Sequence, residues 1–258
     1  MSEPGHPVPL AGTIEGPAGA PVLVLGPSLG TSRTVWEPQI PALAGRFRLL
    51  RFDLPGHGGA PVPPGSYTVA GLGAGVLELL DQHGVRSCAY WGISLGGMIG
   101  MWLAATSPER ISALGLVCTS AYLPPASGWL ARAEKVTAEG MTSITEQSVG
   151  RWFTPAFVAR EPAVAAEFAA DLERIDAAGY AGCCAAIAGM DLRAQLGGIR
   201  ASAVVIAGAE DPATPPPHAA LIAMRTGAAL RVIRGAAHLA NVAAPGEVTA
   251  LLLAHAGG

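Results

Sequence analysis

The chain has 258 residues, half of them hydrophobic and only 14% charged, with a formal net charge of −3. That balance suits a single α/β unit with a sizeable core, and the lack of any basic stretch argues against a nucleic-acid or anionic-membrane partner. No apolar run reaches the ~18–20 residues of a membrane span without Gly, Pro or charge, and the first ten residues carry neither the basic nor the apolar region of a secretory signal, which points to the cytoplasm.

In chain order, residues 21–26 (PVLVLG) read as a buried strand that runs into the loop Gly26-Pro27-Ser28-Leu29-Gly30-Thr31. Residues 47–52 (FRLLRF) read as a second strand, followed by Phe52-Asp53-Leu54-Pro55-Gly56-His57-Gly58. The spacing predicts a helix over 69–83, stopped by Gly84. Residues 87–91 (SCAYW) form a short strand, and 95–106 (LGGMIGMWLAAT) form a helix rich in apolar and small residues. Between them lies Gly92-Ile93-Ser94-Leu95-Gly96, a G-x-S-x-G pentapeptide. A serine in that position sits on a sharp strand-to-helix turn with its hydroxyl thrust outward. The flanking glycines leave room for a strained backbone and for close helix–strand approach.

Residues 112–118 (SALGLVC) are a further strand. From 122 to 190 the alternation breaks, and helical periods run over 129–139, 141–153, 163–175 and 178–190. Strands resume at 201–207 and 230–233, and a last helix spans 245–255. Alternating strands and helices imply an α/β fold with a mostly parallel, doubly wound sheet. The expected organisation is a core from residues 1–121 and 191–258, with residues 122–190 as a helical cap over the strand ends. Cys88 and Cys118 fall in strands, and Cys183 and Cys184 in a helix. None has metal-ligand spacing, so all four read as buried thiols in a reducing compartment, and no metal is expected.

A serine hydroxyl is a poor nucleophile at neutral pH, so Ser94 needs a base, and that base needs an orienting acid. The strand–turn–helix serine requires the order Ser, then Asp or Glu, then His. Asp211 follows strand 201–207 in Gly208-Ala209-Glu210-Asp211-Pro212, and His238 follows strand 230–233 in Gly235-Ala236-Ala237-His238-Leu239. Both stand at the carboxyl ends of strands, where open parallel sheets bind ligands. Glu210 is the competitor to Asp211 and reads as solvated. His6, His83, His218 and His255 fit the base role poorly, and His57 reads as an organiser of its own loop. An oxyanion needs two aimed donors. The backbone N–H of Leu95, at the start of a helix, is one, and that of Leu29 is the best choice for the other.

These residues resemble the α/β-hydrolase superfamily and, within it, the 3-oxoadipate enol-lactonases of aromatic catabolism. The broad likeness rests on the serine and aspartate motifs. The narrower one rests on Pro27-Ser28-Leu29-Gly30-Thr31, on Arg151-Trp152-Phe153-Thr154-Pro155 and on His238-Leu239-Ala240-Asn241-Val242. The resemblance implies a five-membered enol-lactone substrate with a carboxylate arm, hydrolysed through an acyl-enzyme on Ser94 without cofactor. Such a carboxylate invites a cation: Arg33, Arg132 and Arg151 are the candidates, each also able to serve as a surface ion-pair partner. Trp129 and Arg132 are placed ahead, because a cap should supply an apolar wall and a charge. A broader carboxylesterase or another lactonase, a ligand-binding protein on the same fold, and cofactor-free oxidative or perhydrolytic chemistry also fit these residues. The partner expected is a small molecule, and oligomeric state has no signature in this sequence.

Overall fold

The apolar runs become strands because a sheet covered on both faces must be apolar on both. The computed structural model describes residues 6–256, and its sheet holds seven strands among them. These are β1 (Ala11–Glu15), β2 (Val22–Gly26), β3 (Arg48–Asp53), β4 (Cys88–Ile93), β5 (Ile111–Val117), β6 (Ser202–Gly208) and β7 (Ala229–Ile233). Their order is β1-β3-β2-β4-β5-β6-β7, with β1 antiparallel to β3 and every other neighbour pair parallel. The order turns back between β2 and β4, where Gly26, the last residue of β2, is the register partner of Gly92, next to the last of β4. Parallel sheets open a crevice at such a reversal. It therefore brings the loop after β2 beside the turn after β4.

The helices are α1 (Ile40–Leu43), α2 (Val69–Gln82), α3 (Leu95–Thr106), α4 (Ala126–Glu139), α5 (Thr145–Trp152), α6 (Pro155–Arg160), α7 (Pro162–Glu173), α8 (Ala177–Ala188), α9 (Pro216–Thr226), α10 (Ala240–Ala243) and α11 (Pro245–Ala256). Thr68 caps α2 by accepting from the Gly71 amide, and Asp176 caps α8 by accepting from Ala178 and Gly179. Helix α3 is buried almost throughout and packs on β2, β4 and β5. Helices α4 to α8 form the insertion between β5 and β6. The chain leaves and rejoins the sheet at one place. There Tyr122 and Asp191 form an antiparallel bridge, and the Arg193 guanidinium sits 4.0 Å from the Tyr122 ring centroid.

The structure departs from the sequence reading in a few places. Strand β1 lacks an apolar run: it is the half-exposed segment AGTIE on the sheet edge. The expected helix over 141–153 is a 3-10 turn (Met141–Ile144) followed by α5. The expected helix over 163–175 is α7, and a further helix not read from the sequence, α6, precedes it; Pro155 and Pro162 open the two, where a missing N–H costs nothing. All four cysteines are buried and free. Among the described residues no helix is long and apolar enough to cross a bilayer. The reading of the N-terminal ten residues falls partly on residues 1–5, which lie outside the described residues.

Candidate active site

Ser94 joins β4 to α3 with φ 55° and ψ −117°, a conformation that L-residues rarely adopt. Such a backbone costs about 1–3 kcal/mol and persists only where its surroundings over-determine it. Here the Ser94 N–H donates to the Val117 carbonyl at 2.9 Å, and the Ser94 carbonyl accepts from Thr119 Oγ1 at 2.7 Å and from the Met98 N–H at 3.0 Å. The neighbouring glycines are required by contact. A Cβ on Gly92 would stand 2.3 Å from the Gly96 carbonyl, and one on Gly96 would stand 2.5 Å from that of Gly26.

The Ser94 hydroxyl lies 2.8 Å from His238 Nε2 and donates to it, while the His238 Nδ1–H donates to Asp211 Oδ2, also at 2.8 Å. Asp211 accepts three further hydrogen bonds: from the amides of Ala213 and Thr214 at 2.8 and 3.0 Å, and from Thr214 Oγ1 at 2.7 Å. Burial alone would raise its pKa. The His238 charge and hydrogen bond, with the Thr214 donors, outweigh that and hold the carboxyl below its ordinary value. Glu210, the competitor, is exposed. His238 is itself anchored to the insertion, its amide donating to the Arg151 carbonyl at 3.3 Å. The remaining histidines sit elsewhere: His255 contacts the Ser202 carbonyl, and His218 pairs with Ser120 Oγ at 2.8 Å.

Several amides beside Ser94 have no acceptor among the described residues. In the loop after β2, the Thr31 N–H donates to the Ser28 carbonyl, and the Gly30 N–H donates to His57 Nε2. At the head of α3, the Gly96 N–H donates to the Pro27 carbonyl. The N–H groups of Leu29 and Leu95 have no acceptor among the described residues, nor do those of Ser28 and Gly97 in the same two stretches. Buried amides are almost always paired, so unpaired amides beside a serine hydroxyl are donors that an anionic oxygen can use. Leu95 opens α3, whose dipole adds to the attraction.

A cavity of about 480 Å³ lies over Ser94, Leu29 and His238, walled by residues of α4, α5 and α8. Trp129, Arg132 and Arg151 all line it. The Trp129 indole N–H is tied to the Leu123 carbonyl, which fixes the ring as a wall. Arg132 donates to Tyr180 Oη, Gln147 Oε1 and Ser148 Oγ, each at 2.7 Å, and meets no carboxylate among the described residues. The Arg151 side chain has no hydrogen bond or ion pair among the described residues. Burial, then the charge of Arg132, pulls its pKa below the ordinary value. Arg33 does not line the cavity. Its amide and guanidinium bind the buried Asp53 carboxylate, so its charge is already met. The sequence reading missed Thr214 and Tyr180. Thr214 had a local signal, since a Thr three residues after an Asp can close a turn on it. Tyr180 had none, because only the packing of α8 against α4 brings it to Arg132.

Residues 21–245 match the family model described as the alpha/beta hydrolase fold. The chain belongs to the α/β hydrolase family. This α/β hydrolase is 36% identical to a 3-oxoadipate enol-lactonase of Acinetobacter baylyi, over 89% of this chain and 86% of that one. Among solved structures it is similar to a hydrolase from Pseudomonas aeruginosa PA01, with 44% identity, a TM-score of 0.91 and coverage of 95% and 93% of the two chains. It is also similar to the enol-lactonase from Burkholderia xenovorans LB400, with 35% identity, a TM-score of 0.92 and 95% coverage of each chain. In this α/β hydrolase a hydroxyl and an oriented imidazole meet on the cavity floor with unpaired amides beside them, an arrangement competent for acyl transfer.

Proposed function

We propose that this α/β hydrolase opens a carboxylate-bearing enol-lactone, with 3-oxoadipate enol-lactone as the substrate and 3-oxoadipate as the product. The observation that carries the reading is the pair Arg132 and Arg151, two cations with no carboxylate partner among the described residues, on the walls of a cavity whose floor is Ser94 and His238. A guanidinium that protein acids leave unpaired in a half-buried cavity is suited to a ligand carboxylate. The likeness to enol-lactonases over most of the chain supports the same choice.

In this mechanism Ser94 Oγ attacks the lactone carbonyl carbon while its proton passes to His238 Nε2. Asp211 stabilises the resulting imidazolium. The Leu29 and Leu95 amides hold the tetrahedral oxyanion. Collapse breaks the ring C–O bond, and the departing enol oxygen takes the proton from His238. The enol then tautomerises to the ketone, which removes the nucleophile needed for reclosure. A water molecule, deprotonated by His238, attacks the ester on Ser94. Its products are a second carboxylate and free serine. None of these steps calls on a cofactor. Helices α4 to α8 act as the cap that carries the specificity residues Trp129, Arg132 and Arg151, set on a core from the rest of the chain. The four buried, free cysteines suit a reducing compartment such as the cytoplasm.

The test is steady-state turnover of the enol-lactone by the wild-type protein and by Ser94→Ala. Saturable ring opening that Ser94→Ala loses is the expected result. Efficient turnover of short neutral esters with no turnover of the lactone would replace this reading with a broad carboxylesterase.

A further inference from the structure

His57 is fully buried in the loop after β3, 27 residues from Gly30 in sequence and bonded to it in space. Its two ring nitrogens have unlike partners. Nδ1 lies 2.8 Å from the Pro55 carbonyl, which can only accept, so Nδ1 carries the proton. Nε2 then bears a lone pair, and it accepts the Gly30 N–H at 3.1 Å. The ring is covered on one face by Tyr180, stacked at 20° with centroids 6.2 Å apart. That phenol is the one that holds Arg132.

The loop has one weak joint. Ser28 to Thr31 form a turn closed by the Thr31 N–H on the Ser28 carbonyl at 3.2 Å, with Gly30 third in the turn at φ 84°. This is the type II pattern, which differs from type I by a flip of the central peptide, here Leu29–Gly30. In a trans peptide the N–H and C=O point in opposite directions, so a bond to either end fixes the plane. The peptide on the N-terminal side of Leu29 is fixed by Thr31, which holds the Ser28 carbonyl through both its N–H and its Oγ1. The peptide on the C-terminal side is held by His57, which accepts the Gly30 N–H at 3.1 Å, and more weakly by Ser28 Oγ, which donates to the Leu29 carbonyl at 3.3 Å. With both planes held, the Leu29 amide stays directed away from protein acceptors.

We propose that His57 is a positioning residue of this hydrolase: its Nε2 lone pair holds the Leu29–Gly30 peptide, and so the turn whose preceding peptide offers the Leu29 amide to the oxyanion. The proposal rests on the acyl-transfer reading of Ser94. It adds a residue that touches neither substrate nor reacting atoms and acts only through Gly30.

Three variants separate this role from simple packing. His57→Phe keeps the ring and removes both nitrogens. His57→Asn keeps a donor near Pro55 and lacks the acceptor toward Gly30. His57→Gln reaches the Gly30 amide with a carbonyl oxygen. The readouts are kcat and KM on 4-nitrophenyl acetate, the inhibition constant of phenylboronic acid (which forms a tetrahedral adduct on a serine) and the melting temperature. His57→Phe and His57→Asn should lower kcat by about 10- to 100-fold with little change in KM, and weaken the boronate by a similar factor. His57→Gln should recover most of both. Phe and Asn variants with wild-type kcat and boronate affinity, or a Gln variant as impaired as they are, would overturn the proposal. Should His57→Phe fail to fold, His57→Asn decides by the same readouts. Undiminished ester turnover by Ser94→Ala would overturn the acyl-transfer reading itself, and this proposal with it.

Discussion

Arg132 and Arg151 line the same cavity, and after burial the charge of Arg132 is the largest influence lowering the pKa of Arg151. A bound carboxylate would relieve that repulsion, so ligand and protein gain together. Arg151→Met should therefore cut kcat/KM for a carboxylated lactone by about 10- to 100-fold, the loss of one or two charge-assisted hydrogen bonds. Turnover of 4-nitrophenyl acetate, which has no carboxylate, should be almost unchanged. Arg132→Met should impair the lactone similarly and also lower the melting temperature, because Arg132 ties α4 to α5 and α8 through Gln147, Ser148 and Tyr180. Equal losses on both substrates in Arg151→Met would remove it from carboxylate recognition.

The strained backbone at Ser94 yields a prediction of opposite sign for stability and activity. At φ 55° a glycine has no Cβ penalty. Ser94→Gly should abolish turnover and raise unfolding free energy by about 1–2 kcal/mol, as expected where a functional residue holds strain. Urea denaturation of the two proteins checks it; a less stable glycine variant would mean that the turn is not strained.

Close approach makes a contrasting prediction at the next glycine. A Cβ on Gly96 meets backbone atoms of Gly26 and Pro27 at 2.5 to 2.7 Å, which no side-chain rotation can relieve. Gly96→Ala must push α3 off β2, with a cost of about 1–3 kcal/mol or more. Its amide bond to the Pro27 carbonyl would lengthen as well. Melting temperature and kcat should fall together. A fully active, equally stable Gly96→Ala protein would contradict the packing described for this turn.

The pH dependence of stability follows from His57. Burial outweighs its bond to Pro55 and lowers its pKa from 6.5 to about 4. Between those values the unfolded chain binds the proton and the folded one does not, so stability rises with pH. The contribution is complete above pH 6.5 and is lost as pH falls toward 4, by about 3 kcal/mol in all. Asp211, whose pKa is held below its ordinary value, adds a further loss at still lower pH. Unfolding free energies measured from neutral pH down to about pH 4.5 should slope in the wild type and flatten in His57→Gln. Identical slopes would show that His57 is not the group responsible.

Much of the fold was legible because its strands are short apolar runs ended by glycine or polar residues, such as β2 and β6. The edge strand β1 was not: residues that are only half covered need no apolar pattern, and AGTIE has none. Ser94, Asp211 and His238 could be found by order along the chain, since each follows a strand that ends on the same side of the sheet. The environment of Arg33 could not. Its pairing with Asp53 joins residues 20 apart through the packing of a 3-10 turn on β3, and no local spacing records it. The same holds for Tyr180 under Arg132, on two helices of the insertion, and for His57 under Gly30, in two loops of the core: each pair is far apart in sequence and meets only through packing.

The central claim is that carboxylate recognition by the helical insertion is joined to acyl transfer at Ser94. Its most direct test is kcat/KM for 3-oxoadipate enol-lactone set against the methyl ester of the same lactone, in the wild-type protein and in Arg151→Met. A preference of at least about 10-fold for the free acid, reduced or lost in the variant, is expected from a charge-assisted contact. Equal kcat/KM for acid and ester in the wild type would contradict it.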